Sequence, residues 1–157
     1  MQNDLRILLP QLLPRAISWA ETVAAEVATN GTPLSDDGLS VASSVEVSHP
    51  SRVRILMVDR FPKPSDPELQ TAASQAGLLG PTTTGLTLGY SVLIRNGHMS
   101  RRLLSHECRH VYQFEQAGSI AAFLPLYFES IIQFGNWDSP FERDARAHEL
   151  EEISTDA

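Results

Sequence analysis

Two histidines stand four residues apart in the segment His106–His110, which reads HECRH, and their spacing constrains the local fold more than any other feature of the chain. Residues i and i+4 share one face of an α-helix with Cβ atoms about 6 Å apart, so both imidazoles can bind one metal ion if the segment is helical. Apolar residues typical of a helix flank the motif at Leu103, Leu104, Val111 and Phe114. The sequence therefore predicts a helix carrying either two metal ligands or a pair of histidines without a metal.

The residues between the histidines differ in where the helix points them. Glu107 is offset by about 100° from His106 and reaches the edge of the same site, which suits a general base acting on a metal-activated water. Cys108 projects about 200° from His106, away from the metal. We therefore expect Cys108 to be a buried apolar residue rather than a ligand.

A catalytic zinc site needs a third protein ligand beside the two histidines. Two carboxylates compete for that position, Glu129 and Glu142. Glu129 falls on the more polar side of a predicted helix whose other face is apolar, which favours a solvated side chain. Glu142 stands in the first turn of the last predicted helix, which a helical hairpin can bring back over the motif. We expect Glu142 to be the third ligand, with a first-turn acid that only complements the helix dipole as the alternative.

The first part of the chain has weaker patterns. Helical spacing of apolar residues predicts a helix over Leu12–Val27, ended by Asn30-Gly31, and the polar stretch Thr32–Pro50 is typical of an irregular connection. A strand is predicted over Arg52–Val58 and a short helix over Pro67–Gln75. Residues Leu86–Arg95 alternate between apolar and polar side chains, which predicts one half-buried strand.

The last third of the chain is predicted to be helical. Ser100 and Gly118 are suited to cap a helix that contains the motif, and Ser119 and Gly135 to bound a second helix. Ser139-Pro140 then begins a third helix that extends to about Glu152. The predicted order of one helix, then strands, then three helices indicates an α+β fold. We expect a single domain over residues 1–157, divided into an N-terminal helix and connection (1–50), a sheet region (51–98) and the metal-site helices (99–152).

Composition narrows the partners. The 157 residues carry a net charge of −7, which gives no basic surface for nucleic acid or for an anionic membrane. No stretch has the 18 or more apolar residues of a membrane span, and the N-terminal apolar run is interrupted by Pro10 and Pro14. The single cysteine allows no intrachain disulfide. We expect a cytoplasmic protein without a nucleic-acid or membrane partner.

The segment SHECRHVYQFEQAG, followed by an apolar helix and SPFERDARAHE, resembles compact zincin domains of the gluzincin type. The resemblance covers Leu86 to Glu149. It implies a zincin-like fold, a Zn²⁺ ion bound by His106, His110 and Glu142, and Glu107 as the general base. It also implies that the strand Leu86–Arg95 is the edge strand to which an extended peptide substrate pairs. Many such domains carry an aspartate four residues after the glutamate ligand, which orients a histidine. This chain has Arg146 there, so the contact is either missing or made by another residue, for which Asp144 is a candidate.

These residues imply a zinc-dependent peptidase acting on a peptide or protein substrate. A zincin-fold module that binds peptides or proteins without turnover is the alternative, and a metal-free protein is a third possibility. Other polar residues near the motif are weaker candidates. We expect His98 to be a solvated loop residue, His148 to lie outside the site, and Gln113 to support the histidines.

Overall fold

The computed structural model describes residues 2–152. In chain order the elements are α1 (Gln2–Asn30), β1 (Thr32–Pro33), α2 (Asp36–Ser44), β2 (Arg54–Val58), α3 (Pro67–Gln75), β3 (Gly85–Leu88), β4 (Ser91–Arg95), α4 (Arg101–Ala117), α5 (Ile120–Asp138) and α6 (Pro140–Ala147). Within these described residues, six helices and one small sheet confirm the expected α+β class.

The sheet has the strand order β1-β2-β4-β3 and is mixed. The strands β2 and β4 are parallel, whereas β1 pairs antiparallel with β2 and β3 antiparallel with β4. The prediction of one strand over Leu86–Arg95 is wrong, because the chain reverses at Gly89-Tyr90. Gly89 has φ +69° and Tyr90 does not have a positive φ, which is the pattern of a tight type II′ hairpin. Among the described strands β3 is therefore an edge of the sheet and β4 is central.

The predicted caps locate the three C-terminal helices well. The Ser100 side chain accepts from the Leu103 amide at the start of α4, and Gly118 ends the helix with φ +104°. Gly135 interrupts α5 with the non-helical angles φ +83° and ψ 165°, so the long first part of the helix ends at the predicted glycine and a short helical segment continues to Asp138. Ser139 caps α6 as predicted, but α6 ends at Ala147, before the expected Glu152.

The N-terminal region differs more from prediction. The helix α1 begins at Gln2 and contains both Pro10 and Pro14, so it extends well beyond the predicted Leu12–Val27. The stretch Thr32–Pro50 is not irregular, since it contains β1 and the helix α2, which the Ser35 side chain caps by accepting from the Gly38 amide. The sheet therefore begins inside the region expected to be only a connection.

The core has two clusters, one on each face of the sheet. Val92 and Ile94 of β4 pack with α2 and α4 in the first cluster, and Leu93 packs with α1 and α5 in the second. Both clusters include residues of α4, with Cys108 in the first and Phe114 in the second. Because α4 is anchored on both sides, the histidines in its middle have a rigid support.

Among residues 2–152 no single helix is long and apolar enough to cross a membrane. Only the consecutive helices α4 and α5, taken together, satisfy that test of length and composition, and they are bent by 115° against each other.

Candidate metal centre

Helices α4 and α6 bring His106, His110 and Glu142 together. Nε2 of His106 lies 3.2 Å from Oε1 of Glu142, and Nε2 of His110 lies 3.2 Å from Oε2 of the same carboxylate. One ligand atom from each residue lies within 4.8 Å of the other two. With zinc–ligand bonds of about 2.1 Å, two tetrahedral ligands stand about 3.4 Å apart. The two histidine–carboxylate distances are therefore close to those of a zinc site, and any longer separation among the three ligand atoms, up to 4.8 Å, would have to shorten around the ion.

Both imidazoles also have the tautomer that such a site needs. Nδ1 of His106 faces Oε2 of Glu149 at 2.8 Å, and Nδ1 of His110 faces Oε1 of Gln113 at 2.8 Å. Because a carboxylate and an amide oxygen can only accept, each Nδ1 must carry a hydrogen. Each Nε2 is then the atom available to a metal, which is the arrangement of zinc-binding histidines.

Glu142 is held by its own helix and by α5. Ser139, at the start of α6, hydrogen-bonds Ser130 of α5 through the two hydroxyls at 2.7 Å. The Tyr127 hydroxyl donates to Oε2 of Glu142 at 2.6 Å. Burial opposes the charge of Glu142, but hydrogen bonds from His106 and His110 outweigh it and hold the pKa of the carboxyl well below its usual range. Glu142 is thus kept ionised, as a metal ligand must be.

The charge of Glu142 acts in turn on the histidines. Burial alone would lower the pKa of His110, but hydrogen bonding and the charge of Glu142 raise it to about 9. The pKa of His106 is raised in the same way, against its burial, by Glu142 and by the charge of Glu107. Without a cation the two histidines therefore bind protons more tightly than free imidazoles do, and a divalent ion would compete with these protons.

A chain of hydrogen bonds begins at Nδ1 of His110 and holds its ring in place. The Gln113 amide that accepts from His110 donates to Oδ2 of Asp144 at 2.9 Å and to the Phe141 carbonyl at 2.9 Å. Asp144 is fixed by the Arg109 guanidinium at 2.8 Å. Asp144 therefore reaches His110 only through Gln113, whereas the carboxylate in direct contact with a motif histidine is that of Glu149.

Glu107 lies beside this cluster against the edge of the sheet. Its side chain is 5% exposed, and its Oε1 accepts a hydrogen bond from the Thr87 hydroxyl of β3 at 2.8 Å. A Cβ placed on Gly85 would stand 2.7 Å from Oε2 of Glu107. Glycine at this position therefore gives the carboxylate room, and Thr87 sets its orientation.

A cavity of about 850 Å³ connects these residues. His106, Glu107, His110 and Glu142 all line it, together with β3 and the loop before β3. The four side chains therefore face one common space, which leaves room for a ligand at an open coordination position.

The remaining candidates lie elsewhere. Glu129 is half exposed and pairs with Arg6, so the structure brings Glu142 and not Glu129 to the histidines. Cys108 is fully buried. Its burial and, to a lesser extent, the negative charge of Glu107 raise the pKa of its thiol to about 12, as expected for an inert thiol. His98 is exposed at the cavity wall, and His148 binds the Asp144 carbonyl.

Sequence reasoning missed Glu149, Tyr127 and Thr87. Glu149 lies beyond the end of α6, and Tyr127 belongs to the apolar face of α5. Only Thr87 has a local signal, as a polar residue in an alternating strand before the motif. The contacts of all three join residues 15 to 43 positions apart, which no short pattern shows.

No protein-family model, curated protein or solved structure matches this chain.

Proposed function

We propose that the chain is a zinc-dependent peptidase with a zincin-like site, in which His106, His110 and Glu142 hold the ion. The observation that carries this proposal is the convergence of the three ligand atoms within 4.8 Å, beside a carboxylate and in a cavity. The ligand set of two histidines and one glutamate is that of known catalytic zinc sites. The resemblance of the HECRH and PFERDA segments to gluzincins is in agreement with it.

Zinc, when bound, would polarise a water molecule and the scissile carbonyl. Glu107 would accept a proton from that water as its oxygen attaches to the carbonyl carbon, and would deliver the proton to the amine as the carbon–nitrogen bond breaks. Thr87 and Gly85 would hold the Glu107 carboxylate in the required orientation. Tyr127 would keep Glu142 in place through its hydroxyl.

Hydrolysis of a peptide library by the wild type and by Glu107→Gln tests this function. We expect cleavage by the zinc-loaded wild type, and loss of cleavage with full zinc content in Glu107→Gln, because Glu107 lies outside the three-ligand cluster. A matched Glu115→Gln variant on the same helix should retain cleavage, since Glu115 binds Ser48, His49 and Tyr90 on the other side of α4.

Zinc binding without turnover in the wild type would instead support the non-catalytic peptide-binding module. Equal cleavage by wild type and Glu107→Gln would refute the role of Glu107. Protein that purifies without zinc, and whose melting temperature does not respond to added zinc or to a chelator, would refute the metal centre.

A further inference from the structure

The cavity at the candidate metal centre is much larger than one side chain requires. Its volume is about 850 Å³, towards the upper end of the range of roughly 300–1,000 Å³ for small-molecule sites. An apolar cavity of about 150 Å³ is enough to bind one benzene molecule. The space beside the metal ligands can therefore take several apolar groups at once.

The walls of the cavity divide it into two ends. Its charged lining residues come from the segments 98–110 and 142–149, around the candidate ligands. The opposite wall comes from α1 and α3, through residues such as Leu9, Leu13, Leu69 and Ala73, and from Leu5 onward no charged residue of these two helices lines it. A charged group at this second end would lose its hydration without gaining a partner. The second end therefore selects apolar groups.

The edge strand β3 runs along the same cavity, with all of its residues in the wall. A peptide that pairs with such an edge is extended, and alternate side chains point to one face at intervals of about 7 Å. Leu88 of β3 belongs to the core cluster formed with α1 and α5, and Leu86 packs against that cluster. Two alternate side chains of a paired peptide can therefore reach the apolar end together.

We propose that the substrate of this site is a peptide segment with large apolar side chains at two alternate positions near the scissile bond. This inference rests on the proposed function only in placing the scissile bond at the His106, His110 and Glu142 cluster. The apolar end itself is formed by α1 and α3, and does not need the metal to bind side chains.

Intrinsic fluorescence can measure this binding without turnover. The chain has two tryptophans, Trp19 and Trp137, and both line the cavity. The titrations use Glu107→Gln protein, once with zinc and once with a chelator. One peptide carries leucine at two alternate positions, and its partner carries asparagine at the same positions. We expect about tenfold tighter binding for each leucine, because burying such a side chain contributes at least one factor of ten in affinity.

A cavity-filling variant locates the binding. Ala73→Phe should weaken binding of the leucine peptide at least tenfold and leave the zinc content unchanged, because Ala73 lines the cavity on α3, away from the ligands. Ala28→Phe, at an exposed position of α1 outside the cavity, should bind the leucine peptide normally. Equal binding of the leucine and asparagine peptides by Glu107→Gln protein would overturn the inference, and this result does not depend on whether the Ala73→Phe variant folds.

The outcomes separate this inference from the proposed function. Selective binding of the leucine peptide by Glu107→Gln protein, with no hydrolysis of that peptide by the zinc-loaded wild type, would refute the peptidase and leave the apolar subsite standing. Hydrolysis without a preference for the leucine peptide would do the reverse. Dodecanoate is a third probe, and a fluorescence response to dodecanoate with none to either peptide would assign the cavity to an acyl chain and refute the peptide.

Discussion

Replacing Gly85 with alanine should slow hydrolysis without removing zinc. An alanine Cβ at this position would lie 2.7 Å from Oε2, 2.8 Å from Cδ and 2.9 Å from Cγ of Glu107. Ordinary contact begins at about 3.4 Å, so the carboxylate must withdraw by roughly 0.7 Å. Gly85 does not have a positive φ, so its backbone accepts alanine, and the three atoms nearest to the new Cβ all belong to Glu107.

The expected loss follows from this displacement. Misplacing a catalytic group by about 1 Å can cost roughly a hundredfold in rate. We therefore expect kcat/KM of Gly85→Ala to fall by about ten- to a hundredfold on a peptide cleaved by the wild type. Zinc content should stay at the wild-type level, because the atoms nearest to the added Cβ belong to Glu107 and not to a candidate ligand.

Gly80→Ala is the matched control, since its Cβ would meet no atom within 4 Å and its backbone is also outside the positive-φ region. Steady-state kinetics and metal analysis are run on both variants and on the wild type. Wild-type kcat/KM in Gly85→Ala would show that Glu107 does not act from the position against β3. A parallel loss in Gly80→Ala would mean that the effect is a general one of glycine replacement.

Three further perturbations test the surroundings of the site. Glu149→Gln should weaken zinc binding about ten- to a hundredfold in competition with a chelator, because the carboxylate that orients His106 is lost. Glu151→Gln, at an exposed position, should not change the zinc affinity. An unchanged zinc affinity in Glu149→Gln would show that Glu149 does not support His106 as a ligand. Tyr127→Phe should lower the free energy of unfolding by about 1.5–3 kcal/mol in denaturant titrations, since Glu142 loses a hydrogen bond to its charge, whereas Tyr112→Phe, whose ring stacks on Arg109, should cost less. In zinc-free protein the raised pKa of His110, about 9 against 6.5 when unfolded, contributes stability that is complete below pH 6.5 and is lost as pH rises through 9. The melting temperature measured with chelator should therefore fall between pH 6.5 and 9, and the increase in melting temperature on adding zinc should grow over the same range. A zinc-free melting temperature that rises over this range would contradict the pairing of His110 with Glu142.

Local chemistry explains why the motif helix could be predicted. Ser100 and Gly118 are capping residues whose preference comes from backbone hydrogen bonds within one turn, and both ends of α4 lie where they predict. The spacing of His106 and His110 is likewise a property of one helix. The same applies to Ser139 at the start of α6.

Long-range pairing explains most of what could not be predicted. The alternation of apolar residues continues unchanged across Gly89-Tyr90, so the hairpin is hidden in a pattern that also fits one long strand. The parallel pairing of β2 with β4 depends on packing between distant segments. Short α2 depends on its Ser35 cap and on burial of Val41 and Ala42, in a stretch whose polar composition favours a loop.

The candidate site divides in the same way. His106, Glu107 and His110 follow from the motif, and Glu142 from the helical hairpin, whereas the contacts of Glu149 and Tyr127 depend on where the chain after α6 and the middle of α5 come to lie. Arg146 marks a position where this chain departs from the gluzincin pattern. Its side chain stacks on Trp137 and donates to the Trp137 carbonyl, and so has no part in orienting a histidine.

The zinc content of three proteins tests the proposed metal centre most directly. The wild type, Glu142→Ala and Glu129→Ala are purified in parallel, exchanged into metal-free buffer after zinc loading, and measured by elemental analysis. The proposed ligand set predicts about one zinc per chain in the wild type and in Glu129→Ala, and loss of most of it in Glu142→Ala. Full zinc in Glu142→Ala, or none in the wild type, would contradict it.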